Sequence, residues 1–207
     1  VDRRLATYRA LLELRDGGFV KAVGVCNYGL GPLKEIEQLV GKDHLENLPA
    51  INQLELSPFN RHEDVIRYCD TNGIAVCCSA WSKLSGVDGP SEGWAVLSDV
   101  AKAKGMTKAQ LLVRWSLQRG YVCVPRSGCT SKVERMAIAE NSYGGVNPLR
   151  GDGNDGASSE TPFVLSKEEM KILDGLDIKY KAGKLGRRDG WDDTDVAGPE
   201  WDPTEIV

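Results

Sequence analysis

Histidine is scarce in this chain: His44 and His62 are the only two among 207 residues, and neither has the spacing of a zinc-binding helix such as HExxH. That argues against a zinc site and leaves both as expected surface residues. The six cysteines, Cys26, Cys69, Cys77, Cys78, Cys123 and Cys129, contain no CxxC pair and sit mostly in apolar runs. A thiol there behaves as a small hydrophobe, which fits a reducing compartment better than a disulfide framework. No apolar run approaches the roughly 18 residues of a membrane helix, and residues 1–9 lack the apolar centre of a secretory signal. The expected location is therefore the cytoplasm, with no membrane partner. The net charge of −4 comes without a basic block or an aromatic-basic stripe, so nucleic acid is not an expected partner either.

What is present is the composition of a globular protein, with 41% hydrophobic and 27% charged residues, arranged as alternating strand and helix patterns. Leu5, Tyr8, Leu11 and Leu12 give a first helix over 2–14, stopped by Asp16, Gly17 and Gly18. Valine-rich FVKAVGVCNY, Phe19 to Tyr28, predicts a strand between glycines. Pro32 opens a helix to Val40. Strands are expected over 50–56, 74–81 and 121–125, and helices over 63–72, 92–104, 107–118 and 131–141. Thr107 with Gln110, and Ser166 with Glu169, have capping-box spacing. Gly175 is expected to stop the helix that Ser166 starts. This alternation predicts an α/β fold with a parallel sheet. Residues 144–162, rich in Gly, Asn, Asp and Ser, read as a surface insertion. Residues 181–207 read as an extended tail after a domain over 1–180.

The turn Gly29-Leu30-Gly31-Pro32 invites a phosphate-binding reading, but Lys34 stands where a dinucleotide fingerprint has its third glycine. The polar residues that end apolar strands carry more information, because ligands of parallel α/β folds bind there. Cys26 and Asn27, Asn52 and Gln53, Trp81 and Ser82, and Arg126 and Ser127 hold such places in four successive strands.

These segments resemble the aldo-keto reductase family. Phe19 to Tyr28 is similar to its GxVKxIGVSNF segment with Cys26 for serine, and PAINQLELSP, Pro49 to Pro58, resembles PAVNQVExxP. Ile74 to Gly86 resembles its GIxVxAYSPLxxG strand and loop, with Trp81 at the aromatic position and Lys83 for proline. Ala109 to Gly120 and Val124 to Ser127 are similar to AQVxLRWxLQxG and IPKS. The resemblance implies the C-terminal half of a (β/α)8 barrel that binds NADP(H) in extended form.

It also implies roles. Asn27 and Gln53 would hydrogen-bond the nicotinamide carboxamide with Cys26 beside them, and Trp81 would stack on the ring. Ser82, Lys83, Leu84 and Ser85 would line the pyrophosphate. Arg126 and Ser127 would meet the adenosine 2′-phosphate. Glu134 to Asn141, ERMAIAEN, looks like the family's ERIxEN helix with two extra residues. Glu140 and Asn141 would hold the adenine amine, while the role of the family's arginine falls to Arg135 by motif or to Lys132 by count.

The family's catalytic Asp, Tyr, Lys and His belong to strands that precede the matching part, so no catalytic residue is assigned, and whether these residues alone form an enzyme stays open. Expected partners are a small carbonyl substrate and either a missing N-terminal half or a second copy, because a half barrel exposes strand edges. The competing readings are a nucleotide-binding regulatory module and a non-functional fragment.

Overall fold

The computed structural model describes residues 2–79, 92–105, 107–125 and 164–181. In chain order these form α1 (Asp2–Asp16), β1 (Val25–Cys26), α2 (Leu30–Val40), a 3-10 turn (Leu45–Asn47), β2 (Ile51–Glu55), α3 (Glu63–Thr71) and β3 (Ala75–Ser79). Then come α4 (Glu92–Ala103), α5 (Lys108–Gln118), β4 (Val122–Cys123) and α6 (Lys167–Lys181).

The strands form one sheet in the order β1-β2-β3-β4, every neighbour parallel. Parallel neighbours need a crossover, and the helices between the strands supply it. Cys26 lies opposite Gln53, Gln53 opposite Cys77, and Cys77 opposite Val122, so these four residues make one row across the sheet.

Side chains alternate between the two faces of a strand. One face of β2 sends Asn52 and Leu54 into the helix layer. There they join Leu33 and Ile36 of α2, Val65, Ile66 and Cys69 of α3, and Leu111, Leu112 and Trp115 of α5, all buried. Leu97 of α4 and Leu173 and Leu176 of α6 extend the same core. On the other face Ile51, Gln53 and Glu55 are half-buried. Cys77 is buried but stands outside the helix-side core, and Val122 beside it is 48% exposed.

Both capping boxes form. Thr107 Oγ1 accepts from Gln110 N at 3.2 Å while Gln110 Oε1 accepts from Thr107 N at 2.9 Å. Ser166 and Glu169 repeat the exchange at 3.1 and 2.7 Å. Each satisfies two helix-start donors that would otherwise lack a partner.

Several boundaries differ from those expected. The strand read over Phe19 to Tyr28 shrinks to Val25–Cys26, with Phe19 80% exposed. Among the described residues it has a neighbour on one side only, and upstream of the ladder Ala50 N still donates to Val23 O at 2.8 Å. Gly24 is where the two strands come closest: a Cβ there would fall 2.5 Å from Ile51 Cγ2 and 3.0 Å from Ile51 O. The strand over 121–125 shrinks likewise to Val122–Cys123, and α2 starts at Leu30 with Gly29 as its cap, ahead of Pro32.

Gly175 does not stop its helix, which runs on to Lys181. Burying Leu173 and Leu176 on either side of it outweighs the cost of about 1 kcal/mol for a helical glycine. His62, expected at the surface, is 4% exposed and caps α3 from the left-handed region, φ 46°. No described helix is long and apolar enough to cross a membrane. The helix expected over 131–141, the insertion over 144–162 and residues 182–207 lie outside the described residues.

Candidate functional site

Of the candidate residues, the structure describes Cys26, Asn27 and Gln53. Trp81, Ser82, Lys83, Leu84, Ser85, Arg126, Ser127, Lys132, Arg135, Glu140 and Asn141 lie outside the described residues.

The three described candidates stand together on the sheet. β1 ends at Cys26 because Asn27 turns into the left-handed region, φ 56°. Asparagine is among the few non-glycine residues that adopt this conformation readily, and the turn takes Asn27 out of the ladder. Its amide still donates to Gln53 O at 2.7 Å, so residue 27 is tied to the strand that carries Gln53. Gln53 is half-buried on the face away from the helices, opposite Cys26 on one side and Cys77 on the other. Two residues with side-chain amides are thus joined through the backbone where β1 ends against β2. Among the described residues neither takes part in a side-chain hydrogen bond.

The thiols of this row are not activated. Burial pushes the Cys26 thiol up, and burial followed by the neighbouring Cys26 does the same at Cys77. A thiol whose pKa is raised stays protonated near neutrality and is a poor nucleophile.

The described tyrosines are not poised as proton donors either. Burial raises Tyr8 to about 12, and burial is the first cause of the upward shifts at Tyr28, Tyr68 and Tyr121. A general acid working at neutral pH needs a shift in the opposite direction. Tyr8 and Tyr68 also have fixed partners, since Tyr8 Oη donates to Asn47 O and Tyr68 Oη to Glu37 Oε2, each at 2.8 Å.

One residue next to these candidates had a readable signal in the sequence. In AINQLEL, Asn52 shares its strand phase with Leu54 and Leu56, so an amide occupies a core position. It is fully buried. Its Nδ2 donates to Tyr28 O at 2.8 Å, and its Oδ1 accepts from Tyr28 N at 3.4 Å. The side chain therefore grips both polar groups of the residue that follows Asn27.

Residues 2–87 match the model of the Aldo/keto reductase family. An uncharacterized oxidoreductase of Saccharomyces cerevisiae is 32% identical over 179 residues, covering 84% of this chain and 52% of that protein. The glycerol 2-dehydrogenase (NADP(+)) of Hypocrea jecorina is 38% identical over 134 residues, 62% of this chain and 40% of its own length. Among solved structures, a Gox0644 mutant in complex with NADPH superposes with a TM-score of 0.63 at 24% identity, over 88% of this chain and 56% of that one. The chain spans about half the length of the relatives it matches. Its parallel four-stranded sheet with a helix layer on one face is part of the barrel those relatives form. Motif order, family model and fold agree that this chain belongs to the aldo/keto reductase family.

Proposed function

We propose that this chain carries the cofactor side of an NADP(H)-dependent oxidoreductase that reduces aldehydes or ketones to alcohols. The observation that carries the reading is the pair of uncommitted amides, Asn27 and Gln53, at the end of β1 against β2. An amide offers one acceptor and two donors, which is the complement of a nicotinamide carboxamide. Two amides held by adjacent strands can meet both polar groups of that carboxamide. The bound cofactor would supply the hydride. Cys26 and Cys77, with their protonated thiols, would line the same floor as neutral, weakly polar surface. In this reading Trp81, the loop Ser82 to Ser85, Arg126 and Ser127, Lys132 or Arg135, and Glu140 with Asn141 extend the cofactor contacts toward the adenine end. The proton donor for the carbonyl is not assigned to any residue of this chain.

Support for NADP(H) comes from the relatives: one is named for NADP(+) and another structure holds NADPH. The test is titration with NADPH followed by cofactor fluorescence. Asn27→Ala and Gln53→Ala are each expected to weaken NADPH about tenfold, the loss of roughly 1 to 1.5 kcal/mol that accompanies a hydrogen bond removed. Arg126→Ala should weaken NADPH more than NADH. An unchanged signal at saturating cofactor with the unmodified chain overturns the reading.

The reading extends to partners. Among the described residues β1 and β4 each have a neighbour on one side only, and Val122 in β4 and Val124 just after it are exposed. Unpaired parallel edges flanked by apolar side chains favour pairing with another chain. We expect these 207 residues, purified alone, to sediment as a dimer or larger species. With a second four-stranded half present they would instead form a one-to-one complex with it. A monodisperse, cooperatively unfolding monomer of the chain alone is the contrary result.

A further inference from the structure

We propose that Asn52 is a positioning residue for the nicotinamide end of the cofactor site, acting through Asn27 without touching the ligand. The inference rests on the cofactor reading above.

Asn52 is fully withdrawn from water, in strand phase with Leu54 and Leu56, where an aliphatic side chain would bring no polar group of its own to bury. A buried amide is tolerated only when its groups are paired, so its partners indicate its use. Those partners are the N–H and C=O of one residue, Tyr28.

Tyr28 needs such partners because of what precedes it. Asn27 leaves the strand region at φ 56°, and the β1–β2 ladder ends at Cys26 opposite Gln53. Beyond that pair the chain has lost its regular hydrogen bonds just where Asn27 must face the ligand. The Asn52 amide replaces the missing ladder. It holds residue 28 from below, while Gln53 O holds the amide of residue 27 at 2.7 Å. Asn27 is thereby clamped from both sides by two consecutive residues of β2. The relative placement of the Asn27 and Gln53 side chains depends on that clamp.

The alternative role is purely structural, with Asn52 stabilising the fold and no particular end of the cofactor. The two separate in binding. Asn52→Leu, close to the original in size, is compared with the unmodified chain for NADPH and for adenosine 2′,5′-bisphosphate, which lacks the nicotinamide half. The expected result is about tenfold weaker NADPH binding, similar to Asn27→Ala, with bisphosphate binding unchanged. The double variant Asn27→Ala with Asn52→Leu should lose no more than Asn27→Ala alone, because both changes remove one interaction.

Should the leucine variant fail to fold by circular dichroism, Asn52→Asp serves instead. It keeps an acceptor for Tyr28 N but sets an oxygen against Tyr28 O, and it is expected to shift the amide NMR signals of Asn27 and Tyr28 and weaken NADPH selectively. Unchanged NADPH affinity in the folded variant, or equal losses for both ligands, overturns the inference. Bisphosphate and NADPH both failing to bind the unmodified chain instead overturns the cofactor reading on which it stands.

Discussion

Trp115→Ala is expected to lower the unfolding free energy of the chain by about 3 to 5 kcal/mol, the usual loss for a large aromatic removed from a core. Trp115 is fully buried on α5 and is the largest of the fully buried side chains among the described residues. Its ring meets Tyr121 edge-on, 6.2 Å between centroids at 75°, and the Arg119 guanidinium lies over it at 5.4 Å. Its Nε1 donates to Asp174 Oδ1 at 2.9 Å, joining α5 to α6. Truncation therefore removes packing, a cation–π contact and an inter-helix hydrogen bond together. Against a typical domain stability of about 5 to 15 kcal/mol, the loss is a large fraction. Trp115→Phe keeps most of the buried ring and should lose about 1 to 2 kcal/mol, the share of the hydrogen bond and remaining area. Urea unfolding followed by far-ultraviolet circular dichroism measures both. Equal midpoints for the alanine variant and the unmodified chain would show that the helix layer does not depend on this side chain.

Asp174→Ala should cost about 2 to 4 kcal/mol, because it removes from a partly buried site the carboxylate that Trp115 and Arg119 share, leaving Arg119 only the carboxylate of Glu63. Asp174 accepts from Trp115 Nε1, and from Arg119 Nε at 3.2 Å with Arg119 Nη2 at 2.6 Å on the other oxygen. Arg119 also reaches Glu63 at 3.1 Å, and Arg61 donates both to Glu63 and, at 2.8 Å, to the backbone oxygen of Asp174. The side chains of Arg119 and Asp174 are 17% and 24% exposed, too shielded for solvent to replace the lost partner fully. The network ties the start of α3, the end of α5 and the middle of α6. Asp174→Asn keeps an acceptor for Trp115 and should lose less. In a double-mutant cycle with Arg119→Ala the two losses should fall short of additivity by more than about 0.5 kcal/mol. Strict additivity would mean that the two side chains act separately.

The α/β class, the parallel sheet and its approximate strand positions were legible because they depend on local pattern: valine-rich runs between glycines, and apolar residues at helical spacing. The capping boxes at Thr107 and Ser166 were legible for the same reason, since each is a four-residue interaction. The misjudged ends have a common cause. The outer strands were read as long as their apolar runs, but ladder length depends on neighbours, and among the described residues β1 and β4 each have one. Gly175 was read by its propensity, which burial of Leu173 and Leu176 overrides. His62 was read by its type, while its burial follows from the turn between β2 and α3.

At the candidate site the same division holds for single residues. Motif order picked out Asn27 and Gln53, and side-chain chemistry limits what two amides can recognise. The left-handed turn at Asn27, its bond to Gln53 O and the hold of Asn52 on Tyr28 involve residues some 24 positions apart in the chain. Residue type and spacing thus sufficed for the family, the element order and the kinds of group on offer. The direction in which those groups point, and which buried amide holds them there, came only with the fold, because hydrogen bonds between distant strands leave no periodic trace in the residues that make them.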